Sequence, residues 1–264
     1  MNFLEDKGKG LRLIACGKSD KGRVRKENED RFCIENDLGL LAIADGMGGH
    51  ASGEVASRMA VEILRDSLKK EGEAFPDRLS SVVKLANKTI YEAAQSQSQL
   101  KGMGTTLTAV QLTGNRMSIA HVGDSRAYLI RSGVIEQITD DHTMVSEQVA
   151  RGLMTREEAA QSEMRNILSR ALGIGPDIEV DTEELTVSEG DKLILCSDGL
   201  SELVSDDEIL LEVESNRRPA HACDELVNLA NQRGGNDNIT VIVAFLHGES
   251  LFSRLLNILR WIRR

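Results

Sequence analysis

The sequence lacks the features that mark membrane, secreted and nucleic-acid-binding proteins. No apolar run reaches the roughly 18 residues of a membrane-spanning helix, and the N-terminal MNFLEDKGKG has no apolar signal-peptide core. Aromatic residues make up only 3% of the 264 residues, and acidic residues outnumber basic ones by 42 to 32. Nucleic-acid binding uses a basic surface and, for single strands, aromatic stacking platforms. We therefore expect a cytoplasmic protein that binds no nucleic acid.

The sequence is also poor in cysteine and proline. Its 4 cysteines form no CxxC pair, and none has a histidine at zinc-site spacing. We therefore expect reduced and mostly buried thiols at Cys16, Cys33, Cys196 and Cys223. With only 3 prolines and no long stretch rich in Pro, Gly or Ser, the chain offers no interdomain linker.

Hydrophobic periodicity predicts strands in runs and helices in pairs. The predicted strands are 31–35, 40–44, 105–112, 117–122, 126–131, 135–138, 192–196 and 239–246, and the predicted helices are about 53–71, 77–97, 206–216 and 220–232. The first helix has Val55, Met59, Ile63 and Leu64 on one face. Short turns between neighbouring strands favour antiparallel pairing. The pattern predicts an α+β fold with antiparallel sheets rather than a doubly wound fold.

Acidic residues flank many of the predicted strands. They are Glu29, Asp30, Asp45, Asp124, Asp198 and Asp237. A single aspartate in such a position is typical of a turn. If the strand ends share one edge of a sandwich, however, the carboxylates converge, repel one another and raise each other's pKa. Such a cluster requires cations, so the sequence predicts a metal site.

The ligand types indicate a cation and a chemistry. Carboxylates, a backbone carbonyl and water, with no histidine or cysteine, suit Mg²⁺ or Mn²⁺. Two such ions can lower the pKa of a bridging water and stabilise an in-line displacement at phosphorus. A phosphate substrate also favours a guanidinium, whose planar fork binds two oxygens. Arg25 is the candidate, with Arg23 and Lys26 as competitors in the same segment.

Seven motifs resemble the PP2C (PPM) family of metal-dependent Ser/Thr protein phosphatases, in its bacterial single-domain form. The motifs are SDKGRVRKENEDRF at 19–32, ADGMGGHASGEVAS at 44–57, MGTTLTAV at 103–110, HVGDSRAYLIRSG at 121–133, RNILSRALG at 165–173, GDKLILCSDGL at 190–200 and GGNDNITVIV at 234–243. They occur in family order and cover about residues 12–246. The resemblance implies an αββα sandwich of two antiparallel β-sheets flanked by helix pairs, with the metals at one end. It also implies a phosphatase domain over residues 1–247.

Carried over by position, the resemblance implies a binuclear Mn²⁺ or Mg²⁺ site. Asp45 bridges both metals, and the carbonyl of Gly46 binds one of them. Asp198 and Asp237 bind the second metal. The implied reaction is hydrolysis of phosphoserine and phosphothreonine by a metal-activated water.

The resemblance assigns further roles around the two metals. Glu29 and Asp30 either bind a metal directly or support a ligand, and Asp124 helps to bind a third metal. Arg25 holds the substrate phosphate, and residues 142–172 match a mobile flap beside the site. The implied substrates are phosphorylated proteins, the targets of a Ser/Thr kinase.

This sequence departs from the eukaryotic pattern at one catalytic position. Eukaryotic members have a histidine after the Asp-Gly pair as a proposed general acid, whereas this chain has Met47, which cannot donate a proton. His50 is a minor candidate, and water at the metal site is the expected donor. In the flap, Ser162 stands where relatives often have histidine.

Two other functions stay open at the level of sequence. The first is a phosphoprotein-binding pseudophosphatase or signalling regulator without turnover, although no ligand aspartate is missing here. The second is a structural cation-binding protein, which would need neither Arg25 nor a flap.

The tail beyond the family match, residues 248–264, predicts a basic amphipathic helix. Leu251, Phe252, Leu255, Leu256, Leu259 and Ile262 form an apolar face, and Arg254, Asn257, Arg260 and Arg264 lie opposite. This pattern is typical of a helix lying on an anionic membrane surface, here the inner face of the membrane. A helix packed on the domain or on a partner is the alternative. Otherwise a monomer is expected.

Overall fold

Successive strands form antiparallel ladders in the computed structural model, which describes residues 11–48, 52–69 and 77–248. The strands are β1 (Leu11–Asp20), β2 (Arg31–Glu35), β3 (Leu40–Ala44), β4 (Gly46–Met47), β5 (Gly104–Thr105), β6 (Leu107–Thr113), β7 (Arg116–Val122), β8 (Arg126–Arg131), β9 (Val134–Gln137), β10 (Asp181–Thr186), β11 (Lys192–Cys196) and β12 (Ile239–Gly248). The helices are α1 (Ser52–Lys69), α2 (Asp77–Ser96), α3 (Met144–Ala150), α4 (Arg156–Gln161), α5 (Asp198–Ser201), α6 (Asp206–Ser215) and α7 (Pro219–Gln232).

The described strands form two five-stranded sheets and one short ladder. One sheet has the order β1-β12-β11-β8-β9 and the other has the order β10-β7-β6-β3-β2, while β4 pairs with β5. Every ladder is antiparallel, in agreement with the short turns.

Three apolar layers hold the sandwich together. In β3, Leu41 and Ile43 face the layer between the sheets, whereas Leu40, Ala42 and Ala44 face the layer under α1 and α2. This alternation follows from the two-residue period of a strand, and both faces are buried, which explains why β3 is apolar throughout. A third layer packs α6 and α7 against the other sheet. The αββα sandwich predicted from the sequence is therefore confirmed.

Two edge strands, the two-residue strand β4 and one short helix were not predicted. β1 pairs with β12 and β10 pairs with β7, each at an edge of its sheet. β10 reads DTEELT, and none of its residues is buried. Edge strands of this kind are held by their ladder hydrogen bonds, so their sequences carry little hydrophobic periodicity. The four-residue helix α5 is too short to give a helical pattern.

Two further predictions were wrong in detail. The strand predicted at 105–112 is interrupted at Thr106, so β5 leaves the main sheet to pair with β4. The buried face of α1 is made by Ala56, Ala60 and Leu64, with Val55 and Met59 only partly buried. Small residues lie against the sheet because they allow the helix axis to approach it closely.

Two expectations on composition have a structural outcome. All 4 cysteines are free, and Cys33, Cys196 and Cys223 are buried. No helix within the described residues combines the length and the hydropathy that crossing a membrane requires.

Candidate metal centre

The acidic residues meet at one end of the sandwich. In the sheet that contains β2 and β3, Arg31 is paired with Ala44, so Asp30 and Asp45 lie side by side. In the other sheet Cys196 is paired with Val241, which brings the end of β11 beside the start of β12 and so Asp198 near Asp237. Antiparallel pairing therefore collects residues that are up to about 200 positions apart in sequence.

Asp45 is the point at which the negative charges converge. Desolvation raises the pKa of Asp45 well above its ordinary value, and the negative charges of Asp30, Asp198, Asp124 and Asp237 raise it further. We refer to Asp30, Asp45, Asp124 and Asp198 as the inner carboxylates.

The backbone of Asp45 is fixed on both sides by β5 and the residue that follows it. Its N–H donates to Thr106 Oγ1 at 2.9 Å, and its carbonyl accepts from the Thr106 N–H at 2.9 Å and from Thr105 Oγ1 at 2.8 Å. The interruption of the strand at Thr106 therefore allows Thr105 and Thr106 to hydrogen-bond to the backbone of Asp45.

Asp30 is held by the opposite sheet. Its carboxylate is 1% exposed, and Oδ2 accepts from Ser197 Oγ at 2.8 Å. Burial raises the pKa of Asp30 to about 6, although hydrogen bonds from Thr240 and Ser197 act in the opposite direction. Ser197 Oγ also accepts from the Thr240 N–H at 3.0 Å, so this hydroxyl links the two sheets.

Asp198 and Asp124 complete the inner carboxylates. Desolvation, then the charges of Asp124 and Asp237, raise the pKa of Asp198 well above its ordinary value. Burial, then the charge of Asp141, raise the pKa of Asp124 to about 7. The exposed Glu202, at the end of α5, adds a further negative charge near both residues.

The donor set fits a hard divalent cation. Buried Oδ1 atoms of Asp30 and Asp198 have no hydrogen-bond partner, which is unusual for a buried carboxylate and is relieved by a cation. Oxygen donors without histidine or thiolate are the set that Mg²⁺ and Mn²⁺ prefer. Within the described residues, no three His, Cys, Asp or Glu side chains are yet grouped as closely as a formed ligand set.

Gly46 and Glu29 lie between the inner carboxylates and the N-terminus of α1. A Cβ at Gly46 would come within 2.2 Å of the Gly53 carbonyl oxygen, so only glycine allows the two backbones to approach this closely. The Glu29 carboxylate accepts the backbone N–H groups of Gly53 and Glu54, at the positive end of the helix dipole. Burial nevertheless raises the pKa of Glu29 above its ordinary value. Glu29 thus supports α1, and its carboxylate is engaged there.

Arg25 and Asp237 form an ion pair at the rim of the site, and we call them the rim pair. Arg25 Nη2 donates to Asp237 Oδ2 at 2.5 Å, with 52% of the arginine side chain and 31% of the aspartate side chain exposed. The second oxygen of Asp237 accepts the N–H of Asn238 at 2.7 Å. The predicted phosphate-binding arginine and the predicted metal ligand are therefore in direct contact.

Asn238 fixes the loop that carries Arg25, and the sequence prediction did not include it. Its Nδ2 donates to the carbonyls of Lys21 at 3.0 Å and Glu27 at 2.9 Å, and its Oδ1 accepts the Glu29 N–H at 2.8 Å. With three backbone partners, this buried amide holds residues 21–29 in place. The only signal in the sequence is an asparagine directly after a candidate ligand.

The flap and the proton-donor candidates are placed only in part. Met47 lies in β4, paired with Gly104, and His50 lies outside the described residues. Residues 142–172 contain α3 and α4, and Ser162 ends α4.

Comparisons with known proteins place these features in a family. The sequence profile of Protein phosphatase 2C matches residues 21–243. A serine/threonine phosphatase of Listeria monocytogenes, Stp, is 39% identical over 234 residues, which is 86% of this chain and 93% of the relative. Serine/threonine protein phosphatase PstP of Mycobacterium tuberculosis is 42% identical over 238 residues, covering 89% of this chain but only 45% of PstP.

Solved structures give the same result. A crystal structure of the M. tuberculosis phosphatase superposes with a TM-score of 0.84 at 41% identity, covering 89% of this chain and 99% of that chain. The catalytic domain of PstP in complex with two manganese ions superposes with a TM-score of 0.82 at 40% identity, covering 90% of this chain and 99% of that chain.

Proposed function

The chain belongs to the protein phosphatase 2C family, and we propose that the inner carboxylates, Asp237 and the Gly46 carbonyl hold its divalent cations. The protein is a metal-dependent protein serine/threonine phosphatase that uses Mn²⁺ or Mg²⁺ and acts on phosphoproteins. One observation supports the site most directly. Inner carboxylates with raised pKa values include two buried oxygens without partners, and a cation would remove both costs.

Each ligand has a separate role in this proposal. Asp45, on which the other negative charges converge, would hold two cations, as the family resemblance implies, and the Gly46 carbonyl would hold one of them. Asp198 and Asp237 would hold the second cation, and Asp124 would help to hold a third. Asp30 supports this group from within through Ser197, and Glu29 supports it through the N-terminus of α1.

When bound, the cations supply a nucleophilic water at neutral pH and neutralise charge on the phosphate. Arg25 then binds the phosphate at the rim, where half of its side chain is exposed. Its present partner, Asp237, is a carboxylate, and a phosphate offers the same guanidinium two oxygens and more charge. Met47 has no proton to give to the leaving alkoxide, so the donor is water rather than this side chain.

Metal removal tests the proposed activity. Hydrolysis of p-nitrophenyl phosphate and of a phosphothreonine peptide should vanish with EDTA and return with millimolar Mn²⁺. Oxygen ligands without thiolate or imidazole hold these cations weakly enough for a chelator to remove them. Full activity after exhaustive chelation would contradict the proposal.

A matched pair of variants tests the assigned site. Asp45→Asn should lose Mn²⁺ binding measured by calorimetry. Asp37→Asn, in the exposed turn at the other end of the same β2–β3 hairpin, should bind Mn²⁺ like the unmodified protein. Normal Mn²⁺ binding by Asp45→Asn would reject the ligand assignment while leaving the family activity standing.

The domain and its partners follow from the same assignment. We propose a monomeric phosphatase domain over residues 1–247, with residues 142–172 as a flap that controls access. Its substrates are the targets of an opposing Ser/Thr kinase. The last described strand, β12, ends at Gly248.

We propose that the basic tail, which lies outside the described residues, binds anionic membrane surfaces. Basic side chains on one face and apolar ones on the other favour this role. The body carries a net negative charge, so an anionic surface would attract the tail and repel the body. A protein truncated after Gly248 should lose salt-sensitive binding to phosphatidylglycerol vesicles and keep its activity on p-nitrophenyl phosphate. Equal vesicle binding by both forms would reject the membrane role, and unfolding of the shorter form would favour a packed helix.

A further inference from the structure

His142 lies beneath the candidate metal centre and has no part in the mechanism described above. It is only 2% exposed. Its N–H donates to the Gly123 carbonyl at 2.7 Å, and its ring Nδ1 accepts the Gly123 N–H at 3.0 Å. Both polar groups of Gly123 are therefore bound by one residue, directly before the candidate ligand Asp124.

The other side of the Gly123 loop is packed tightly against Thr106. Gly123 has a φ of +113°, and a Cβ there would approach within 2.5 Å of Thr106 Cγ2. The loop is thus packed against Thr106 on one side and hydrogen-bonded to His142 on the other. Because Asp124 follows this peptide directly, its position depends on the two contacts together.

His142 also closes the base of the flap. Its carbonyl accepts the Ser169 N–H at 2.9 Å, and the next residues continue the pairing, with the Met144 N–H donating to the Ile167 carbonyl at 2.8 Å. Thr143 and Leu168 form the bridge between these two bonds. The two ends of the flap are therefore paired with each other by a short antiparallel ladder that begins at His142.

The two ring nitrogens face different parts of the molecule. A backbone N–H can only donate, so Nδ1 is the acceptor and the ring proton is on Nε2. Nε2 lies 3.0 Å from Oδ2 of Asp181, in β10, and Arg170 binds the same carboxylate at 2.6 Å. Burial lowers the pKa of His142, in agreement with a neutral ring.

We propose that His142 is a positioning residue that orients the loop bearing Asp124 through Nδ1 and anchors the returning end of the flap through Nε2, by way of Asp181 and its ion pair with Arg170. The inference rests on the proposed function, because it takes Asp124 as a ligand. It predicts that the two effects can be separated, since each uses its own nitrogen.

Two isosteric substitutions separate them. His142→Asn keeps an acceptor near Nδ1 and loses the contact with Asp181, whereas His142→Gln keeps a donor near Nε2 and loses the acceptor for Gly123. In His142→Gln, amide exchange at Gly123 should accelerate and the weakest Mn²⁺ binding step in calorimetry should weaken by about tenfold, the scale expected for an outer partner of a ligand. In His142→Asn, exchange should accelerate at Ser169 while Mn²⁺ binding changes less than about twofold.

Asp181→Ala tests the flap arm without touching the histidine. It should reproduce the faster exchange at Ser169 and leave Mn²⁺ binding unchanged. This variant tests the inference even if His142→Gln does not fold. Unchanged exchange at Ser169 in Asp181→Ala would overturn the anchoring role.

Gln111→Ala is the matched control. Gln111 is a buried polar side chain that donates to the Leu38 carbonyl, at the end of β3 away from Asp45. It should destabilise the protein without changing Mn²⁺ binding. Equal shifts in Mn²⁺ binding for Gln111→Ala and His142→Gln, or normal Gly123 exchange in His142→Gln, would overturn the inference. A failure of the unmodified protein to bind Mn²⁺ would instead overturn the proposed function.

Discussion

The inner carboxylates and the rim pair are neighbours with opposite electrostatic designs. Asp30, Asp45, Asp124 and Asp198 are desolvated, lie among like charges and have raised pKa values. Arg25 and Asp237 are partly exposed and neutralise each other. The first arrangement stores repulsion that a bound cation or a proton relieves, whereas the second is an ion pair that solvent screens and another anion can open. In the proposed assignment the inner carboxylates hold metal only, whereas the rim pair combines a metal ligand, Asp237, with the phosphate-binding Arg25.

The largest expected effect comes from removing a carboxylate. Asp45→Ala and Asp237→Ala should each lower kcat by about 1,000-fold or more, because several kcal/mol of charge stabilisation by the cations is lost. Steady-state kinetics at saturating Mn²⁺ measures this. If Asp45→Ala kept nearly the activity of the unmodified protein, Asp45 would not take part in catalysis.

Arg25→Ala should have the next largest effect, and of a different kind. It should raise KM by about tenfold to 100-fold, the scale of a hydrogen bond to a charged group, and retain Mn²⁺ binding in calorimetry. Lys26→Ala, in the same exposed loop, is the control and should change KM little. If Arg25→Ala instead lost Mn²⁺ binding and kept a normal KM, Arg25 would support the metal site rather than bind the substrate phosphate.

Metal-free stability should depend on pH through the inner carboxylates. Their pKa values are raised above the ordinary value of 3.8, to about 6 for Asp30 and about 7 for Asp124. The folded state therefore binds these protons more tightly than the unfolded state, so their stabilisation is complete below about pH 4 and is lost as pH rises through 6 and 7. The Tm of EDTA-treated protein should fall across this range, by about 2–4 °C for each ~1 kcal/mol of stabilisation lost at this size.

Added Mn²⁺ should reverse that loss at pH 7.5, because a ligand that binds only the folded state stabilises it. Asp124→Asn should flatten the pH dependence between about pH 4 and pH 7. A Tm that instead rises steadily from pH 4 to pH 7 without metal would contradict the assigned direction.

His50→Ala should have the smallest effect. With water as the proton donor, kcat should change by less than about threefold, whereas removal of a general acid costs about 100-fold or more. The pH profile of kcat, measured beside the substitution, distinguishes the two.

Much of the candidate site could be predicted from the sequence because its carboxylates lie at strand ends, and strand ends are visible in hydrophobic periodicity. Asp45 and Asp198 each follow an apolar run that can only be a buried strand or helix. Their supporting residues gave no such signal. Ser197 acts on the carboxylate of Asp30, Asn238 on the carbonyls of Lys21 and Glu27, and His142 on the backbone of Gly123. No local sequence pattern identifies such tertiary partners.

The sequence by itself determined the α+β class, the antiparallel sheets and the set of acidic residues, since these depend on local periodicity, short turns and residue type. Only the tertiary structure decided that Arg25 lies against Asp237, that Glu29 binds the N-terminus of α1 and that His142 holds the Gly123 loop. It also decided the edge strands β1 and β10, which bury little and depend on their neighbours for hydrogen bonds. The physical reason is the same in each case: a directional contact between distant residues exists only after the chain has packed.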